Sequence, residues 1–184
     1  MNGKSSEKKG NMTNNRLKIK NKKNSETKVN IRTAVFCELC HYAENDTFIN
    51  ISLDSTIKKL NLSGHDRDFF TALVYGVTER QITLDYFLSN LSSIPLEKLD
   101  LTVLTALRIG AYQILFMDRI PDSAACNETV KLIKKRTASA APFVNAVLRS
   151  LIRKKDTILL PDKTKIPEKY LSVRYSVPEN LIVM

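Results

Sequence analysis

From Asn30 to about Arg153 the apolar residues recur at three- and four-residue steps, and this spacing restricts the chain to helices. Ile31, Val35 and Leu39 open the series, with Asn30 placed as an N-cap. Ile49, Leu53, Ile57 and Leu60 mark a second helix. Ser63-Gly64-His65-Asp66 has the form of a capping box, with Asp in the usual Glu position, and opens a helix expected to bury Phe69, Phe70, Leu73, Val74 and Val77. Leu84, Phe87, Leu88 and Leu91 define the next, which ends near Pro95. Asp100 can cap a helix from Leu101 to about Met117. Its broad apolar face of Leu104, Leu107, Ala111, Ile114 and Leu115 predicts a central position, and Thr105, Arg108 and Tyr112 form a narrower polar stripe. After Pro121, Ala124 to Lys135 turns Val130 and Ile133 inward. Ser139 to about Arg153 then buries Phe143, Val144, Val147, Leu148 and Leu151. The expected fold is all-α, a compact bundle of about seven helices.

Two glycines interrupt this pattern inside helices, where each costs about 1 kcal/mol relative to Ala. Gly76 follows Ala72 by four residues and Gly110 follows Ala106 by four. Each pair leaves a shallow groove, and close approach of two helix backbones is the simplest reason to keep it.

The flanks of the helical region differ from it. Residues 1–30 carry nine Lys/Arg against two Glu and almost no large apolar residue. Such a segment cannot bury enough surface to offset its ordering entropy, so a disordered basic arm is expected. Pro161, Pro167 and Pro178 break up residues 156–184, which read as a linker. The domain expected between them covers residues 31–155.

Charge narrows the class of partner. Residues 31–130 hold eight basic and thirteen acidic residues, whereas residues 131–174 hold twelve basic and three acidic. Two basic blocks thus flank an acidic body in a chain of net charge +10. Clustered Lys/Arg release counterions on meeting phosphates, so a polyanion is the natural partner, and solvation of a charged face is the plainer alternative. No apolar run reaches the length that crosses a bilayer, and the polar N-terminus lacks a secretory h-region. Three cysteines form no disulfide framework. These features fit a reducing cytoplasm.

Cys37-Glu38-Leu39-Cys40-His41 matches the C-x-x-C-H form of haem attachment. Haem attachment needs export, and a zinc site would need further ligands, for which His65 and Cys126 are the only His/Cys left. A thioredoxin-like role needs a βαβ setting. On a helix the two cysteines are expected to fill small apolar positions near Phe36.

The order of motifs is more specific. Leu73-Val74-Tyr75-Gly76-Val77 precedes Thr83-Leu84-Asp85, then Leu107-Arg108-Ile109-Gly110-Ala111-Tyr112-Gln113-Ile114-Leu115-Phe116. Asp118-Arg119-Ile120-Pro121, Asn127-Glu128-Thr129-Val130 and Phe143-Val144-Asn145-Ala146-Val147-Leu148-Arg149 follow. This series resembles the NusB fold family over roughly residues 31–155. One branch of that family is the free-standing antitermination factor, which binds RNA together with a ribosomal protein. The other is the N-terminal domain of RsmB-type (Sun/Fmu) enzymes, which methylate cytosine C5 in small-subunit rRNA with S-adenosylmethionine. The "LVYG" and "FVNAVLR" segments resemble the second branch more, as does Arg174-Tyr175-Ser176-Val177-Pro178-Glu179-Asn180-Leu181.

A cytosine-C5 transferase needs a thiolate to attack the ring. No Pro-Cys or Thr-Cys motif and no Gly-rich loop after a strand occurs here, and Cys126 is expected in a helix beside Asn127 without a basic neighbour. The expectation is therefore a chain without a catalytic centre or a bound cofactor: an accessory half that binds small-subunit rRNA, joined to a methyltransferase domain outside it. A free antitermination factor and a protein-interaction module with an incidental basic surface stay open as alternatives.

Lys131, Lys134 and Lys135 share a helix face, with Arg136 adjacent. Asn145, Arg149 and Arg153 form a stripe on the last helix that Lys154 and Lys155 extend. These are candidate phosphate contacts. The resemblance adds Arg32, at the start of the first helix, as an RNA contact. RsmB-type domains carry several Arg after the mid-helix Gly, and here Val77-Thr78-Glu79-Arg80 leaves only Arg80. Asn127, Glu128 and Asn145 match motif positions but are expected to bond helix ends or turns. Arg108 and Arg119 are expected to pair with carboxylates such as Asp85 or Asp118.

Overall fold

A computed structural model describes residues 30–45 and 49–182. The disorder expected for residues 1–30 lies outside the described residues except at Asn30. Among the described residues there are eight α-helices and no strand: α1 (Ile31–Asn45), α2 (Ile49–Lys59), α3 (Gly64–Glu79), α4 (Gln81–Ser89), α5 (Leu101–Phe116), α6 (Asp122–Lys134), α7 (Ala141–Lys154) and α8 (Pro167–Tyr175). The all-helical bundle is as the periodicity predicts.

The helix starts follow local chemistry. Asn30 Oδ1 accepts from the Thr33 amide at 3.1 Å, capping α1. Asp100 Oδ1 accepts from the Thr102 amide at 2.8 Å, capping α5. The Thr102 hydroxyl donates to the same oxygen, and that bond first and the amide bond second hold the Asp100 carboxyl below the usual carboxylate range. The capping box at Ser63 is not made. The chain enters α3 through Gly64 at φ +52°, and Ser63 forms no side-chain cap. α6 begins at Asp122, two residues earlier than the periodicity predicts, with Pro121 as the extended residue that precedes it.

α5 is central, packed by α1, α3, α4, α6 and α7. Phe36, Phe70, Leu73, Leu84, Leu107, Ile109, Ile133, Leu148 and Leu151 are fully enclosed in one core, each burial stabilising by about 1.5–3 kcal/mol. Thr105, expected on a polar stripe, is buried as well. Phe69 and Phe143 are only partly buried and pack on the rim of the core. Arg108 bridges α5 to α4 with a forked contact to Asp85, at 2.8 and 2.7 Å, as its position predicts.

The two mid-helix glycines accommodate side chains rather than backbones. A Cβ on Gly76 would fall on the ring of Tyr112, and a Cβ on Gly110 would stand 2.6 Å from Leu148 Cδ1. So α3 meets an aromatic ring of α5, and α5 meets a leucine of α7.

Within residues 156–182, where a linker is expected, the chain forms a packed helix. α8 docks on α4, where Thr83 Oγ1 donates to the Val173 carbonyl at 2.6 Å and the Ile82 amide donates to Ser176 Oγ at 3.1 Å. Pro167 lies in the first turn of α8, where its missing amide costs nothing, and Ser176 ends the helix at φ +58°. Prolines that look like breaks in sequence here bound a helix.

Candidate nucleic-acid interface

Arg32 lies in the first turn of α1 and is half-buried. Its Nε donates to Gln113 Oε1 at 2.7 Å, and its guanidinium stands 5.0 Å from the centre of the Phe69 ring. Burial pushes Arg32 below its ordinary pKa while nearby Glu128 raises it. An arginine keeps its charge under such shifts. Packing therefore holds Arg32 in place, with its Nε already committed.

The far end of α6 comes to meet it. Lys131, Lys134 and Lys135 are all exposed there. Lys131 Nζ donates to Glu128 Oε1 at 2.6 Å. That hydrogen bond holds the Glu128 carboxyl below its usual range, and the charges of Arg32 and Lys135 act in the same direction. The pair is exposed, so it contributes little and opens easily to a competing anion. Asn30, Thr33, Glu128, Lys131, Lys134 and Lys135 line one shallow groove, in which Glu128 is the single carboxylate. Lysines at a helix C-terminus also complement its dipole, which gives them a structural reason to be there. Arg136, just past α6, reaches back to α1: it donates to Cys37 Sγ at 3.0 Å and lies over the Phe36 ring.

The other predicted basic residues are elsewhere. α6 and α7 run antiparallel, with Cys126 Sγ 3.7 Å from Asn145 Oδ1 and Lys155 Nζ 2.9 Å from Asp122 Oδ2. Arg153 and Lys154 are exposed at the α7 end that lies beside the start of α6. That end is about 18 Å from the lysine end of α6, at 1.5 Å of rise per residue. A continuous basic surface from Lys131 to Lys155 is thus not formed. Lys155 is not a free cation, because it also donates to the Ile114 carbonyl at 3.4 Å and closes the end of α5. Arg149 Nε is committed to Asn145 Oδ1 at 2.9 Å. Arg80 stacks over Phe116, 5.6 Å from its centre, and lines a groove with Arg174 at the C-terminal end of α5.

The motif residues Glu128 and Asn145 do not bond helix ends. Their partners are Lys131 for Glu128, and Arg149 with Cys126 for Asn145. Asn127 is exposed. Cys37 is exposed rather than buried near Phe36, and Cys40 is partly buried. Burial pushes the Cys40 and Cys126 thiols up. Arg149 opposes this at Cys126, which therefore has a basic neighbour in space that its sequence does not give it. A thiol raised by burial is a poor nucleophile at neutral pH. Among the described residues, no group of three or more His, Cys, Asp or Glu is arranged to hold a metal ion. None of the described helices is long and apolar enough to cross a membrane.

Periodicity gave no reason to single out Gln113, which receives Arg32, or Lys59, which lines a second groove together with Lys135. Gln113 sits in an apolar helix, and a buried amide there is itself a signal. Nothing in the spacing of α2 links Lys59 to α6.

A sequence profile of the NusB family matches residues 29–153. The chain is 35% identical over 156 residues to the probable ribosomal RNA small subunit methyltransferase B of Bacillus subtilis, a match covering 84% of this chain and 34% of that protein. It is 32% identical over 146 residues to the protein of the same name in Synechocystis, covering 77% and 33%. It is 36% identical over 95 residues to the transcription antitermination protein NusB of Clostridium novyi, covering 50% and 71%. The chain spans about a third of the length of the methyltransferase relatives. A bundle arranged around α5 and a family match over most of the chain agree, and the chain belongs to the NusB family.

Proposed function

We propose that this chain is an RNA-binding unit whose phosphate-contacting surface is the rim formed by the start of α1 and the end of α6. The observation that carries this reading is the convergence of Arg32 with Lys131, Lys134 and Lys135, about a hundred residues away in sequence, around a single partly exposed carboxylate. A cationic rim with one weakly held acidic partner suits a polyanion, and lysines there serve as point charges for phosphate oxygens. The RNA is small-subunit rRNA, and the role is to orient it for an S-adenosylmethionine-dependent cytosine-C5 methyltransferase domain, with no catalysis by residues 30–182 themselves. The 156-residue match to the Bacillus relative supports this over a free antitermination factor, because it is longer than the family segment 29–153.

Anisotropy titrations of labelled small-subunit rRNA helices at two salt concentrations test the reading. Changing Lys131, Lys134 and Lys135 together to Ala should weaken binding and flatten the log affinity against log salt slope by about 2. Changing Arg153 and Lys154 to Ala should do much less. A flat salt response, or equal effects of the two sets, refutes the assignment. Tight RNA binding only with an added ribosomal protein would favour the antitermination reading.

A further inference from the structure

A second groove opens between α1 and α2 and shares Asn30, Thr33 and Lys135 with the phosphate-contacting rim. Glu38 lines it and is only 5% exposed. Its Oε2 accepts from Thr56 Oγ1 at 2.6 Å, while its Oε1 is buried and has no hydrogen-bond partner among the described residues. An unpaired buried carboxylate oxygen is costly, and a native chain retains such a group for a reason.

The surroundings indicate which donor it serves. Lys59 and Lys135 line the same groove, and Arg136 stands beside its Cys37. A rim of net positive charge repels a cationic peptide and attracts an anion. Most of the remaining lining surface is carbon, although Ser52, Ser55 and His41 contribute to it, and Ile51 stands at it 72% exposed. A ligand that fits must carry negative charge at its edge, a flat apolar body and an N–H donor at its tip. A nucleotide has all three. Single-stranded RNA is read in this way, with unstacked bases inserted and their edges hydrogen-bonded.

We propose that the α1–α2 groove takes one unstacked base of a bound RNA strand, with an amino group of its edge donating to Glu38 and its flanking phosphates held by Lys59 and Lys135. This deepens the RNA-binding reading above and rests on it. α2 packs chiefly on α1, so it is the wall able to shift outward and admit the base. Cytosine offers an amino group where uracil offers a carbonyl, so the groove discriminates between them.

The test is anisotropy of labelled eight-nucleotide oligocytidine and oligouridine with the full chain at one salt concentration. The unmodified chain should bind oligocytidine about tenfold more tightly, the effect of a hydrogen bond to a charged acceptor. Glu38→Gln presents a donor in place of an acceptor and should abolish or reverse that preference. Ile51→Glu, at an exposed position that the fold does not depend on, should abolish it by obstructing the groove, and it keeps the test decisive if Glu38→Gln fails to fold. Equal affinity of the unmodified chain for both strands overturns the proposal. So does a preference that persists in folded Ile51→Glu, as would happen if a protein segment occupied the groove instead. If salt-dependent rRNA binding through the α6 lysines survives such a result, only this inference fails. If neither oligonucleotide nor rRNA binds, both readings fail.

Discussion

Gly110→Ala isolates the packing of α5 against α7. An added Cβ would stand 2.6 Å from Leu148 Cδ1, 3.0 Å from Leu148 Cδ2 and 3.1 Å from Thr129 Oγ1. Carbon atoms in contact prefer about 3.5–4.0 Å, so the leucine must retreat by about 1 Å. It has little room, because Leu148 is fully enclosed. Thr129 is no freer, since its hydroxyl donates to the Ala125 carbonyl at 2.8 Å. Overpacking of this kind costs about 1–3 kcal/mol. The better helix propensity of Ala returns about 1 kcal/mol. The net expectation is a loss of about 0–2 kcal/mol, read as a lower midpoint in urea denaturation followed by circular dichroism. Leu148→Ala alone should lose about 2–5 kcal/mol by opening a cavity. In that background Gly110→Ala has space, and its effect should reverse to a gain. Two changes that simply add, or a Gly110→Ala chain that is more stable than the original, would refute the packing argument.

Other expectations follow from single contacts. Asp100→Ala removes the α5 cap and should cost about 1 kcal/mol, measured by thermal melting. Because the Asp100 carboxyl is held below its usual range in the folded chain, its contribution is present above the unfolded aspartate value of about 4. It should be lost as pH falls through the lower folded value, so the difference between the two chains should shrink in acid. Thr83→Val leaves the buried Val173 carbonyl without its donor and should raise hydrogen exchange in α8 while α5 stays protected. Lys155→Met should lower stability by about 1 kcal/mol through loss of the Asp122 contact, and leave RNA affinity in anisotropy titrations unchanged.

The bundle was legible because its signal is local. Val35, Leu39, Leu53 and Ile57 lie one helical turn apart, and that period is enough to name the helix and its inner face. α8 was not legible for the same reason. In its nine residues Ser172 and Val173 are the buried ones, so no stripe forms, and its prolines resemble breaks until Pro167 is seen to begin a helix. The site was legible only by residue type. Lys131, Lys134 and Lys135 could be assigned to one helix face, but Lys155 has the same side chain and serves as a clamp.

The sequence by itself determined the helical class, most helix positions, the caps at Asn30 and Asp100, and the family resemblance through motif order. These depend on interactions within about four residues, which a linear string contains. The tertiary structure alone decided which basic residues share a surface. Antiparallel packing of α6 and α7 separates Lys134 from Arg153, while the crossing of α1 over α5 and α6 brings Arg32 to Lys131. It also decided that Gly76 and Gly110 receive side chains, and that Glu38 keeps an oxygen without a partner among the described residues, beside a cationic groove. Charge acts through space at distances set by helix packing, and no spacing along one helix encodes the position of another.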